Sequence, residues 1–255
     1  MQIPALPSGL ILEQHAEADS ARAEAFRRAQ AGAEEGTLVV VERPTAPAAR
    51  RGRAWDLPEA PGMHGALILR PGLPAAECAE LGPVALVALG AAIGEVVQPM
   101  AELHYRWPND LLLDHGKAAG VWLDGAGRGE AVEWLVIAWA VNTDAAPAAL
   151  GHDAAALGVE GGVGTIDHGE LLRSIARELL SAITSWDEAG FGSVLRKWRG
   201  RIPLEGAVRV ELADDEVVEG TPVSVDDEAA LVVRTEDGER VLALNAFFGL
   251  PQEAR

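Results

Sequence analysis

The residues best equipped for chemistry lie between His104 and Asp124, in HYRWPNDLLLDHGKAAGVWLD. This stretch holds a carboxamide, Asn109, a carboxylate, Asp110, and a lone lysine, Lys117, seven residues after the aspartate. Pro108 fixes its own φ and pushes Trp107 toward an extended conformation, while asparagine and aspartate form turns readily. Alternating leucines beyond the turn, a second turn at His115-Gly116 and an apolar return run predict a strand-turn-strand unit. Such a unit presents a carboxylate, a carboxamide and an ammonium toward one another, a cluster that can hold an anion and a reacting amine. An ordinary hairpin with a solvated lysine is the other reading of the same residues.

Two further places carry candidate ligands. Arg50, Arg51 and Arg53 concentrate positive charge in a loop from Arg43 to Arg53 of an otherwise acidic chain. Guanidinium forks match carboxylate and phosphate geometry, so an anionic small molecule or nucleotide is their natural partner; a solvated loop paired with surface acids is the alternative. Asn142 ends an apolar run, where its amide can bind a nucleotide or cap a turn.

The elements that must position these residues follow from pattern. Asp19 or Ser20 caps a helix to about Gln30, and a strand spans Thr37 to Glu42. Gly65 to Arg70 reads as a strand buried on both faces. Gly82 to Gln98 reads as a helix buried almost all round, with Gly90 and Gly94 allowing close packing on a sheet. Val132 to Val141 is a central strand, and 144–164 a long surface loop. An amphipathic helix begins near Asp167 and a shorter one carries Trp198. A boundary falls at 199–205, giving expected domains 1–203 and 204–255. Four short runs with polar turns, Ala207 to Leu212, Val217 to Val225, Ala229 to Arg234 and Arg240 to Leu244, suggest a small SH3-like β-barrel.

Composition removes several function classes. With 39 acidic against 21 basic residues the formal net charge is −18, a surface that repels phosphate backbones and anionic lipid. No nucleic acid or membrane partner is therefore expected. One cysteine, Cys78, excludes an internal disulfide, and the N-terminal residues lack a secretory pattern, so a reduced, cytoplasmic protein is expected. The six histidines and Cys78 show no metal-ligand spacing, and no hydrolase elbow, Walker loop or dinucleotide fingerprint is present.

Arg50-Arg51-Gly52-Arg53-Ala54-Trp55, then Arg106-Trp107-Pro108-Asn109-Asp110, then Lys117-Ala118-Ala119-Gly120 resemble, in order and separation, the motifs of the biotin protein ligases within the wider biotin and lipoate ligase family. The resemblance covers nearly the whole chain and is to the non-repressor type, without an N-terminal DNA-binding domain. It implies an α+β fold, a mixed sheet packed with helices of the class II synthetase-like kind, followed by the small C-terminal barrel. It implies ATP, Mg2+ and biotin, a biotinyl-adenylate intermediate, a biotin carboxyl carrier-type protein as lysine acceptor, and exposed strand edges that permit a homodimer. By the same resemblance Arg50 and Lys117 stabilise charge between carboxylate and α-phosphate, and Trp55 covers the adenine. Asn109 and Asp110 hold metal-bound phosphates or orient the amine, with Asp110 assisting its deprotonation. Asn142 contacts the nucleotide and Ser20 the biotin ureido group. Arg51, Gly52, Arg53, Arg106 and Trp107 complete the substrate and nucleotide site.

The sequence departs from the family pattern at several points. Pro47-Ala48-Ala49 stands in place of a glycine-arginine-glycine, removing a backbone donor. Pro44 falls near the position of the family glutamine, Ala138 and Ala140 replace glycines, and Arg106 replaces a lysine. These departures leave open a member of the same fold that binds a small acid or nucleotide without turnover, or a lipoate or other acyl ligase.

Overall fold

The computed structural model describes residues 2–46, 62–128, 131–147 and 153–251. Its first element, β1 (Ile11–Ala18), has no counterpart in the expectations from sequence, because ILEQHAEA offers no apolar face. None is required at a sheet edge: β1 pairs only with β2 (Thr37–Pro44), in parallel. Between them runs α1 (Ala21–Gln30), whose first turn is closed by Ser20, with Oγ accepting from Ala23 N–H at 3.0 Å.

After β2 come β3 (Met63–Leu69), the short β4 (Leu73–Pro74), α2 (Ala75–Ala79) and α3 (Leu81–Gly94). The predicted hairpin is a three-stranded meander of β5 (Leu103–Arg106), β6 (Asp110–Leu113) and β7 (Gly116–Arg128), followed by β8 (Ala131–Val141). The main sheet runs β1-β2-β3-β8-β7-β6-β5, with β4 beside β8. It is mixed, as expected, since every pairing other than β1 with β2 is antiparallel.

Burial on both faces explains the continuous apolar runs of β3 and β8. On one face α3, α4 (His168–Ala189) and α5 (Gly192–Arg199) cover Leu38, Leu67, Leu111, Leu135 and Ile137. On the other, Ala21, Ala25 and Ala29 of α1 lie against Val39, Ala66, Ala138, Ala140 and Trp122. The methyl groups of Ala138 and Ala140 are thus accommodated beneath a helix face made of alanines. Gly90 of α3 admits the sheet as expected: a Cβ there would come 2.4 Å from the Tyr105 hydroxyl. Gly94 has ordinary clearance from Leu103 at 3.7 Å, so the close approach belongs to Gly90 alone. Residues Ala75–Gly94 are long and apolar enough to cross a membrane, with mean hydropathy 1.6, but 72% of that window is buried in this fold.

The C-terminal part is an antiparallel meander of β9 (Val208–Glu211), β10 (Val217–Val225), β11 (Leu231–Thr235) and β12 (Gly238–Leu242), in the order β12-β11-β10-β9. It agrees with the SH3-like expectation. The third strand begins two residues later than its β-type run, because Ala229 has φ 62° and belongs to the preceding turn. A short helix, α6 (Leu244–Phe248), follows and was not expected.

Candidate functional site

The site forms where β5, β6 and β7 meet. Asp110 pairs with Gly120 and Leu111 with Ala119, but Leu112 pairs with Lys117. The additional residue, Ala118, is a β-bulge. Side chains alternate along a strand, so strict register from Gly120 would send Lys117 to the opposite face from Asp110. The bulge reverses that assignment and brings both side chains to the α1 face of the sheet.

There Lys117 Nζ lies 2.6 Å from Asp110 Oδ1. Arg106 donates to the other oxygen, Oδ2, from Nε at 3.0 Å and Nη2 at 2.6 Å. The side chains of Lys117 and Asp110 are only 10% and 12% exposed, while that of Arg106 is 39% exposed. Burial alone pushes the Asp110 carboxyl pKa up, but the charges and hydrogen bonds of Lys117 and Arg106 outweigh it and hold the group below its ordinary value. The cluster therefore carries one positive charge in excess, close to the surface, which suits an anion.

Four neighbours fix Lys117. Its backbone N–H donates to Asp153 O and its carbonyl accepts from Ala155 N–H. Gly120 leaves room for its chain: a Cβ there would stand 3.2 Å from Lys117 Cε and 3.3 Å from Nζ. The Trp122 ring centroid lies 5.9 Å from Nζ, within reach of a cation–π contact. Trp122 and Gly120 were not singled out from sequence, although alternation along the return run would have placed both on one face.

Asn142 donates both amide hydrogens to carbonyls, of Lys117 and Ala155, each at 3.0 Å. It thereby binds the end of β8 to the lysine backbone. Asn109 Nδ2 donates to Val121 O and its carbonyl accepts from Val121 N–H, both at 2.9 Å, which pins the turn to β7. Trp107 is buried, its Nε1–H donating to Ala229 O at 2.9 Å, and the Trp107-Pro108 peptide is cis.

Cross-strand register places His64, Ala140, Gly120 and Asp110 in one row. Two small residues at its centre give a shallow floor beside the charged cluster. Arg22, in the first turn of α1, holds Asp124 through two bonds of 2.5 and 2.7 Å. That clamp ties the start of α1, next to Ser20, to the middle of β7, two residues beyond Trp122. Arg50, Arg51, Gly52, Arg53 and Trp55, with Pro47 to Ala49, lie outside the described residues. A separate cleft of about 540 Å³ is lined by Glu42, Gly62, Asp144, Asp167 and His168, and its carboxylates make it a poor site for phosphate. Among the described residues no group of three or more histidine, cysteine or acidic side chains could hold a metal ion. Both Asp110 oxygens already face cations, so a divalent ion fits here only as part of its nucleotide.

Residues 55–200 match the model of the biotin/lipoate A/B protein ligase family. The chain is 33% identical over 239 residues to a biotin--[acetyl-CoA-carboxylase] ligase of Paracoccus denitrificans, covering 92% of this chain and 99% of the relative. A biotin protein ligase of Aquifex aeolicus, solved in complex with biotin and ATP, superposes with a TM-score of 0.74 at 21% identity, over 91% of this chain and 95% of that one. A biotin protein ligase-like protein of unknown function from a Silicibacter species gives the same score at 22% identity, over 94% and 96%.

Proposed function

The chain belongs to the biotin/lipoate A/B protein ligase family, and from that membership and the Lys117–Asp110–Arg106 cluster we propose the reaction it carries out. It is an ATP-dependent biotin–protein ligase. A carboxylate oxygen of biotin attacks the α-phosphorus of ATP, the bond to pyrophosphate breaks, and biotinyl-adenylate forms. A lysine amine of a biotin carboxyl carrier-type protein then attacks the acyl carbon, loses a proton, and displaces AMP.

The observation that carries this reading is the ammonium of Lys117 held at 2.6 Å by a buried, ionised Asp110. Charge accumulates on the α-phosphate and the bridging oxygen as the first bond forms. A preorganised cation at that point is worth more in the transition state than in the ground state. Arg106 extends the positive field toward solvent, and Arg50, Arg51 and Arg53 supply further cations from their loop. A carboxylate held below its ordinary pKa is a weak base, so Asp110 serves to aim Lys117 rather than to take the proton of the incoming amine. Magnesium, when bound with ATP, neutralises phosphate charge.

Asn109 and Asn142 act by fixing the turn and the lysine backbone; the carboxamide oxygen of Asn142 faces the nucleotide. Trp55 is assigned the cover of the adenine, and Gly52 a place in the same substrate and nucleotide site. Ser20, at the start of α1, faces the ureido end of biotin. Residues 1–203 form the catalytic unit and 204–255 the small domain. The acidic composition speaks against a nucleic acid partner, and the single cysteine, Cys78, suits a reduced, cytoplasmic enzyme.

Transfer is tested by incubating the protein with ATP, magnesium, biotin and a biotin carboxyl carrier domain. The carrier should gain one biotinyl group by intact mass, and a carrier whose acceptor lysine is replaced by arginine should gain none. Equal labelling of both would show that the second step lacks the proposed acceptor.

A further inference from the structure

The geometry points to a positioning role for the Asp226–Ala230 loop of the C-terminal meander, acting on the catalytic turn through the bond from Trp107 Nε1 to Ala229 O. This inference rests on the ligase reading and adds a residue set that acts from outside the catalytic sheet.

Ala229 is fully buried and has φ 62°, a left-handed conformation that an alanine adopts at a cost. Asp226 holds it there. Its Oδ1 accepts from Glu228 N–H at 2.9 Å and Ala230 N–H at 2.8 Å, its N–H donates to Ala230 O, and its carbonyl accepts from Ala229 N–H. The loop is closed on itself, and the Ala229 carbonyl is delivered to the Trp107 indole at 2.9 Å. The same indole meets Phe247 of α6 edge to face, with centroids 5.7 Å apart.

Trp107 and Asn109 are the two ends of the turn that leads into Asp110. Asn109 is tied to β7 of the main sheet, and Trp107 is tied to the C-terminal meander. The carboxylate that aims Lys117 is therefore set by restraints from both units. Displacements near 1 Å in a catalytic constellation cost about a hundredfold in rate. The loop thus acts on turnover through Trp107.

Asp226→Ala removes the acceptor that closes the loop, and Asp226→Asn keeps an oxygen in its place. Asp226→Ala should lower the kcat for biotinyl-adenylate formation about tenfold or more with KM for ATP unchanged, and should speed hydrogen exchange of the Trp107 indole proton. Asp226→Asn should restore both. The indole signal is assigned by its loss in Trp107→Phe. Wild-type kcat in Asp226→Ala, or a rise in KM alone, would overturn the positioning role. If Asp226→Ala fails to fold, Trp107→Phe carries the same kinetic prediction, since it keeps a ring on Phe247 and deletes only the donor. Indole exchange is read without turnover: a wild type that makes no adenylate contradicts the ligase reading, while unaltered exchange in Asp226→Ala contradicts this one.

Discussion

Lys117 and Asp110 share a face of the sheet only because Ala118 bulges out of β7, and across that bulge Nζ and Oδ1 stand 2.6 Å apart. The ion pair is withdrawn from solvent, so screening by salt is weak and each partner depends on the other. Most of what the protein is expected to do, and how it should respond to change, follows from this contact.

Lys117→Ala should lower biotinyl-adenylate formation about a hundredfold or more, the usual loss when one preorganised donor is removed from a developing charge. Lys117→Arg should not restore it. The guanidinium is planar and larger, and the space beside Gly120 is fitted to an ammonium. The check is pyrophosphate release in the first turnover, with circular dichroism to confirm the fold. Activity in Lys117→Ala within a few-fold of wild type would remove the lysine from the chemistry.

The pH response of stability has a definite sign. Lys117 and Arg106 depress the Asp110 pKa in the folded state below its ordinary value of 3.8. The stabilisation is therefore fully present above pH 3.8 and is lost as pH falls through the folded value. Asp110→Asn should be less stable than wild type at neutral pH, and the gap should narrow on acidification below 3.8. Urea unfolding across that range measures it; a gap independent of pH would mean that the carboxylate charge contributes nothing.

Gly120→Ala separates positioning from stability. The added methyl would meet the flexible end of Lys117 at 3.2–3.3 Å and the Trp122 ring at 3.4 Å, so the lysine can yield by a few tenths of an ångström. Thermal stability should change little, and kcat for adenylate formation should fall by an order of magnitude. An unchanged kcat would show that Lys117 tolerates displacement and is not held to a fixed point.

Much of this architecture was legible in the residues. The buried runs of β3, β8 and α3 and the amphipathic α4 beginning near Asp167 follow from spacing, and the cap of α1 falls on Ser20, one of the two residues, Asp19 or Ser20, that the sequence offers. Beyond the short α6, three features were not. β1 escaped because an edge strand paired on one side can carry Glu13, His15 and Glu17 without an apolar pattern. The approach of Lys117 to Asp110 depends on a register shift that alternation contradicts, so spacing alone could place the lysine near the turn but not on its face. Asn109 and Asn142 read as ligand groups because they are polar residues at strand ends; that their amide hydrogens also bind backbone carbonyls of Val121, Lys117 and Ala155 has no signal in the spacing. The family motifs supplied what local pattern could not, and the Arg50–Trp55 loop rests on them entirely.

The most direct test of the account is the intermediate itself. The protein is incubated with ATP, magnesium and biotin, with lipoate and octanoate in parallel, and the mixture is examined for acyl-adenylate by mass spectrometry. Biotinyl-adenylate should form with the wild type, exceed the other adenylates, and be lost in Lys117→Ala. Measurable ATP binding without adenylate from biotin would contradict the ligase reading, whatever the fold.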